Sequence, residues 1–407
     1  MLLRDTILSV LKDQRPPVSL TPEVARELVS SIPARSSQAI ALKGVRRCGK
    51  SILQAQLMRR TGAAFYCNLE DTRLFGLSPK DFPAILSVID ELASQGVPVF
   101  LDEVQEVAEW ERLVRSLLDR GRTVCITGSN ASLLSRELGA KLTGRHLSFE
   151  VFPFDYQEYL TYTGFDAAEP SLLSYLDDGG FPGYLRERSP QVLQELLRDI
   201  VQRDIALRHG LRETRHVMNL ALFLLANTGQ PFSIQTLAKS LAIPAVTQTA
   251  RYLEYLQDAY VLFAVPKFSP SFKQRVVTPN KYYANDTGFR RVNSPQAAPD
   301  RGHRLENLVF LALRRRGPNV CYAGERNSWE CDFVTDTLAI QVCAELTPYN
   351  RDREVGGLVR ACRLPGKRRP LILTLNQRDR IREQDTPIEV RPAWEWLLES
   401  CANHGTH

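Results

Sequence analysis

Along residues 36–152 the hydrophobic positions come in short unbroken runs and do not alternate with polar ones. Runs at 38–42, 63–69, 97–101, 123–127 and 146–152 therefore read as strands covered on both faces. Between them the apolar spacing lengthens to that of helices, at 50–60 and 131–142. Strands alternating with helices predict a mostly parallel, three-layer α/β sheet. Ahead of it, residues 1–35 read as one or two helices, the second opening after Thr21-Pro22 and closing near Pro33. Beyond Pro153 the strand signal disappears and helices run to Arg208, broken at Gly179-Gly180-Phe181-Pro182. Residues 215–267 show a helix, a tight turn and a helix, ending in an apolar strand at 260–265. From about Phe272 the two periods mix. Strands at 281–285, 319–322, 329–334 and 339–343 and a helix at 303–315 predict a second α/β domain.

Length and charge narrow the picture only a little. A chain of 407 residues is too long for one ordinary core, so two or three domains are expected. The formal charge of +6, from 52 basic and 46 acidic residues, permits nucleic-acid binding without arguing for it; local basic clusters at 314–316 and 367–369 have to carry that case. Eight cysteines are scattered singly, none paired at zinc-ligand spacing, and are expected to be reduced and buried. No stretch approaches the ~20 apolar residues of a membrane span. The first twelve residues, interrupted by Arg4 and Asp5, do not read as a signal peptide. The expectation is a cytoplasmic protein with no membrane partner.

The chemistry is concentrated between residues 44 and 145. A loop that wraps phosphates needs glycines where side chains would collide, inward-facing amides and a lysine for the terminal charge. Gly44-Val45-Arg46-Arg47-Cys48-Gly49-Lys50-Ser51 supplies all of these between an expected strand and an expected helix. The helix dipole then falls on the phosphates, and Ser51 is expected to coordinate Mg2+. The strand ending Leu101-Asp102-Glu103 delivers two carboxylates where open α/β sheets bind ligands. Asp102 is expected to hold the magnesium through water and Glu103 to polarise the attacking water. Asn130, after the next strand, is expected to sense the terminal phosphate, and Arg145 to place a cation against the transition state of a neighbouring subunit. A surface arginine capping its helix is the plain alternative for Arg145. Cys48, beside Lys50 at a helix N-terminus, is expected to carry a stabilised, reactive thiolate unless it is simply a small residue chosen for fit.

Taken in order, this loop, Leu-Asp-Glu-Val-Gln-Glu-Val at 101–107, Thr-Gly-Ser-Asn-Ala at 127–131, Leu-Thr-Gly-Arg at 142–145, Val-Phe-Pro-Phe at 151–154 and Gly-Gly-Phe-Pro at 179–182 resemble the bacterial and archaeal AAA+ ATPases that carry a C-terminal domain of unknown function. The resemblance spans nearly the whole chain. It implies an AAA-type fold in which Gly179-Gly180-Phe181-Pro182 begins a helical lid.

The middle segment resembles a winged helix-turn-helix, a capped helix over 233–241 and a second over 247–257 that exposes Thr247, Gln248, Thr249 and Arg251 to bases or phosphates. Docking of protein partners is the alternative use of such a module. Arginines 198, 203, 208, 212 and 215 form either a phosphate-binding stripe or a solvated face paired with Asp199, Asp204 and Glu213. Further on, Glu306, Asp332 and the strand Ile340-Gln341-Val342 resemble a restriction-endonuclease-like scaffold. Gln341 stands where a second acidic ligand belongs and Cys343 where the lysine belongs, so cleavage is expected to be lost.

The resulting organisation is an N-terminal helical segment (1–35), an AAA+ P-loop ATPase core (36–165), a helical lid (166–214), a winged helix (215–270) and an inactive α/β endonuclease-like domain (271–400). The expected function is Mg2+-dependent ATP hydrolysis coupled to binding or remodelling of duplex or branched DNA, in a self-associated ring, expected to be a hexamer. A nucleotide-operated signalling or defence switch with little turnover, or an ATP-dependent nuclease, are the rivals.

Overall fold

The computed structural model describes residues 2–17, 23–128, 144–269, 271, 278–294, 301–317, 319–325 and 328–402. They divide into two compact units, one within residues 1–152 together with Asp258–Tyr260, the other within 153–257 and 261–407. In the first, strands β1 (Ala39–Lys43), β2 (Phe65–Asn68), β3 (Val99–Asp102), β4 (Val124–Gly128) and β5 (His146–Glu150) form a parallel five-stranded sheet in the order β2-β3-β4-β1-β5. Every residue of β1, β3 and β4 is buried, the reason these strands read as continuous apolar runs. The helix Arg4–Asp13 belongs to the same core. Its Ile7, Val10 and Leu11 pack with Phe82, Ile85, Ile89 and Leu101, and at ~1.5–3 kcal/mol for each buried aliphatic they tie the chain's start to this sheet.

The second expected N-terminal helix is reduced to one turn, Leu28–Ser31. Before it the chain is irregular and is held by Gln56, whose side chain accepts from the Arg26 amide at 3.0 Å and donates to the Val24 carbonyl at 2.8 Å. These bonds replace the ones a helix would make. The helix expected at 131–142 lies outside the described residues.

The second unit opens with helices Tyr156–Thr163, Glu169–Asp178, Pro182–Glu187 and Pro190–Asp199, the last continuing as a π-helical stretch Ile200–Leu207. Helices Arg215–Ala226, Ile234–Ser240 and Val246–Asp258 follow, with a three-stranded antiparallel sheet of β6 (Pro231–Phe232), β7 (Leu262–Val265) and β8 (Asn280–Ala284) in the order β6-β8-β7. The strand expected at 281–285 as part of the last α/β domain is β8, the centre of this small sheet.

Asp286, just after β8, fixes the Gly-Gly-Phe-Pro turn. Its carboxylate accepts from the Phe289 amide at 2.7 Å, capping the helix Thr287–Asn293, and from the Gly180 amide at 2.6 Å. The Phe181 and Phe289 rings meet at 5.7 Å.

Six strands build the remaining sheet, β9 (Cys321–Glu325), β10 (Trp329–Val334), β11 (Leu338–Val342), β12 (Arg369–Thr374), β13 (Asp379–Glu383) and β14 (Thr386–Pro392), in the order β13-β14-β12-β11-β10-β9. β12 runs parallel to β11 and β14, and the other pairs are antiparallel. Val355, Leu358 and Val359 of the helix Arg351–Cys362 pack on Ala339, Ile372 and Val390 of this sheet. Among the described residues no helix is long and apolar enough to cross a membrane.

Candidate nucleotide site

The loop after β1 has the shape its composition predicts. Gly49 adopts φ +101° as it caps the helix Lys50–Thr61, a conformation open to glycine, and a Cβ on Gly44 would lie 2.1 Å from the Val151 carbonyl oxygen. Both glycines are therefore required by geometry. Val45 is buried, Arg46 half-buried and Arg47 exposed at φ +64°. Lys50 Nζ donates to the carbonyls of Gly44 and Val45, each at 3.1 Å, which brings its charge across the mouth of the loop.

Cys48 is different from its expectation. It is fully buried beneath the loop, and burial pushes its thiol pKa up despite the nearby charges of Lys50 and Arg26. Desolvation of a thiolate outweighs the two cations, so the small-residue reading holds and the reactive-thiolate expectation is corrected. Arg26 is a component that sequence reasoning missed. Its buried guanidinium donates to the Cys48 carbonyl at 3.1 Å and the Phe152 carbonyl at 2.7 Å, bracing the loop from behind.

Asp102, at the carboxyl end of β3, lies 3.3 Å from the Ser51 hydroxyl, which donates to its Oδ1. Tyr66 donates to Oδ2 at 2.9 Å and Thr127 to Oδ1. Burial lifts the Asp102 pKa above the ordinary carboxylate range, Glu103 adds to the lift, and the three hydroxyls oppose it. Among the described residues no Lys or Arg pairs with it. A buried carboxylate satisfied by hydroxyls alone suits a divalent cation shared with Ser51, so the donor set fits Mg2+. Tyr66 and Thr127 escaped the sequence reading because each lies inside a neighbouring apolar strand.

Glu103 departs from the strand. It takes φ +52°, ψ +52°, its amide donates to the Thr127 hydroxyl at 2.9 Å, and its carboxylate accepts from the Gln105 side chain. Asn130 lies outside the described residues. Arg145 precedes β5 at the end of the sheet opposite the loop. Its carbonyl accepts from the Ala39 amide at the start of β1, and its guanidinium pairs with Asp119 at 2.7 Å with both side chains exposed. Within one chain the structure thus brings together Gly44–Ser51, Asp102 and Glu103, and not Arg145.

Residues 36–160 match the family model described as an AAA domain, and residues 169–296 match a domain of unknown function (DUF8612). The uncharacterized protein MJ1544 of Methanocaldococcus jannaschii is 31% identical over 390 residues, 87% of each chain. This chain belongs to the same family as that protein. An uncharacterized protein of Haemophilus influenzae is 30% identical over 329 residues, 75% of this chain and 82% of its own. A solved structure, the Walker-type ATPase paby2304 of Pyrococcus abyssi, has a TM-score of 0.43 at 18% identity, over 70% of this chain and 99% of its own, too distant to bear on function. The AAA domain matched over residues 36–160 is a P-loop ATPase domain, and it contains Gly44–Ser51, Tyr66, Asp102, Glu103 and Thr127, with Arg26 ahead of it.

In the second unit Thr247 and Arg251 are exposed, whereas Gln248 is half-buried and donates to the Tyr252 hydroxyl at 2.5 Å. Thr249, expected on the surface, is buried and returns its hydroxyl to the Ala245 carbonyl at 3.2 Å, because it shares the inward face with Tyr252, Leu253 and Leu256.

Cys343 stands in the lysine's place along the strand, but a lysine reaches Asp332 from elsewhere in the chain. Lys281 of β8 places its buried Nζ 3.0 Å from Glu306, 2.5 Å from Glu330 and 3.5 Å from Asp332. Burial pulls its pKa down, but these carboxylates outweigh it and keep the lysine charged. Gln341 donates to Glu354 at 2.6 Å. Among the described residues no group of three or more His, Cys, Asp or Glu is arranged to hold a metal ion. The Lys281 cluster reads as an ion-pair network.

Proposed function

We propose that this chain hydrolyses ATP and couples hydrolysis to binding or remodelling of duplex or branched DNA. The observation that carries the first half is the convergence, at the carboxyl ends of β1 and β3, of a phosphate loop, a buried Asp102 bonded to Ser51, and Glu103 beside it. Gly44–Ser51 hold the phosphates through backbone amides and Lys50. Ser51 and Asp102 hold Mg2+, which when bound neutralises developing phosphate charge. Glu103 accepts the proton of the attacking water. Arg145, exposed and remote from its own loop, suits a site in a neighbouring subunit of a ring, with a hexamer as the expected form.

The second half rests on the helices Ile234–Ser240 and Val246–Asp258 beside the β6-β8-β7 sheet, which support a winged-helix reading with Thr247, Gln248 and Arg251 toward DNA. The last sheet supports an endonuclease-like domain that grips and does not cut, since Gln341, bonded to Glu354, stands where a second acidic ligand belongs.

Phosphate release measured with and without single-stranded, duplex and forked DNA tests the reading. Lys50→Ala is expected to lose nucleotide binding, and Glu103→Gln to bind ATP with turnover down roughly 100-fold or more. Duplex or forked DNA is expected to stimulate the wild type, and Arg251→Ala to weaken DNA binding across all sequences. Hydrolysis with no DNA binding at ~50 mM salt would leave the ATPase and remove the DNA partner.

A further inference from the structure

We propose that Gln105 is a positioning residue for hydrolysis, holding the Glu103 carboxylate with its amide nitrogen in the orientation that meets the attacking water. The inference rests on the reading of Glu103 as the base.

Glu103 is one of eight non-glycine residues with positive φ among the described residues, and it introduces the short 3-10 turn Val104–Glu106. A left-handed glutamate is strained unless its surroundings over-determine it, and such strain gathers at functional sites. Here the surroundings are specific. The Thr127 hydroxyl takes the Glu103 amide at 2.9 Å and donates to Asp102, so backbone strain at Glu103 is tied to the carboxylate expected to hold the cation. The same turn brings Gln105 back, and its Nε2 donates to Glu103 Oε2. That bond leaves the other glutamate oxygen uncommitted by Gln105 and removes the side chain's rotational freedom before substrate arrives.

Gln105 Oε1 is buried and has no hydrogen-bond partner among the described residues, although an orphaned buried acceptor costs free energy. A water that donates to Glu103, held in one orientation by Gln105, has its lone pair fixed for attack. In the step itself the water oxygen bonds to the γ-phosphorus, the bond to the β,γ-bridging oxygen breaks with its electron pair leaving on ADP, and the water proton passes to Glu103.

The test is Gln105→Ala and the bulk-preserving Gln105→Met in the full chain, with nucleotide affinity measured by a fluorescent ATP analogue, turnover by phosphate release and folding by thermal unfolding. Both variants are expected to lose about 10-fold to 100-fold in kcat, with nucleotide Kd within about twofold of wild type and an unchanged Tm. An unchanged or increased kcat would overturn the proposal, the increase showing that Gln105 restrains Glu103. A kcat loss matched by an equal loss of affinity would also overturn it, showing a structural role in the loop. Glu103→Gln run alongside separates the premises: if it retains wild-type turnover, the base assignment fails, whatever Gln105 does.

Discussion

Gly179→Ala probes the junction that joins the Gly-Gly-Phe-Pro turn to Asp286. Gly179 ends the helix Glu169–Asp178 at φ +71°, ψ −166°, a region that only glycine occupies without strain, so any side chain costs ~1–3 kcal/mol. A Cβ there would stand 2.1 Å from Asp286 Oδ1 and 2.6 Å from its Cγ. The carboxylate can yield only by loosening its bonds to the Gly180 and Phe289 amides, and a bond to a charged group contributes ~1.5–3 kcal/mol. The expected loss is about 4 kcal/mol. Gly164→Ala is the control: at φ +74°, ψ +15° with nothing within 4 Å of a new Cβ, it should cost about 1 kcal/mol. Urea unfolding followed by tryptophan fluorescence reports mainly on the right unit, since Trp329, Trp394 and Trp396 lie there and only Trp110 in the other. A Gly179→Ala loss no larger than that of Gly164→Ala would refute the collision. The pH dependence supplies a second check. Burial lifts Asp286 to about 6, so above the ordinary carboxylate range the folded chain keeps a proton that the unfolded chain has released. The group's contribution to stability therefore falls as pH rises through that window, by ~3 kcal/mol, and is level above it. Asp286→Asn should abolish that fall.

Two further predictions concern groups whose sequence reading changed. Cys48, buried and pushed up, should be alkylated no faster than the buried strand residue Cys125 under native conditions, as read by mass spectrometry after brief labelling; fast labelling abolished by Mg-ATP would restore the thiolate. Lys281→Met should leave Glu306 and Asp332 buried without their cation and cost ~3–5 kcal/mol in the same urea titration, whereas a loss under about 1 kcal/mol would show the cluster to be dispensable.

What was legible in the sequence is what depends on neighbours along the chain. The parallel strands announced themselves because both faces of β1, β3 and β4 are covered, and the phosphate loop because glycine, lysine and serine at fixed offsets answer to one ligand geometry. Helix ends were nearly as clear. The strand β13 is not legible, since it is an exposed edge, Asp379-Arg380-Ile381-Arg382-Glu383, with little apolar signal to mark it, whereas β12 carries a buried apolar run, Leu371-Ile372-Leu373, of the same kind as β1.

The errors share a cause of a different kind, which is that burial is a property of the fold and charge proximity along the chain is not. For Cys48 the two readings part on burial: Lys50, two residues away, favours a thiolate, but the packing that closes over the thiol outweighs it and favours the small residue chosen for fit. The lysine beside Asp332 is not at position 343 but arrives from β8, 51 positions earlier, a pairing that strand periodicity does not reveal. The same reasoning explains why Gln105 and Tyr66 were silent. A glutamine two residues after a glutamate is unremarkable until the left-handed turn at Glu103 folds it back, and a tyrosine in an apolar run looks like core until β2 pairs with β3 and its hydroxyl reaches Asp102. Residues that touch phosphate are constrained by the ligand and can be read in a line; residues that hold them in place are constrained by the fold and have to be found in space.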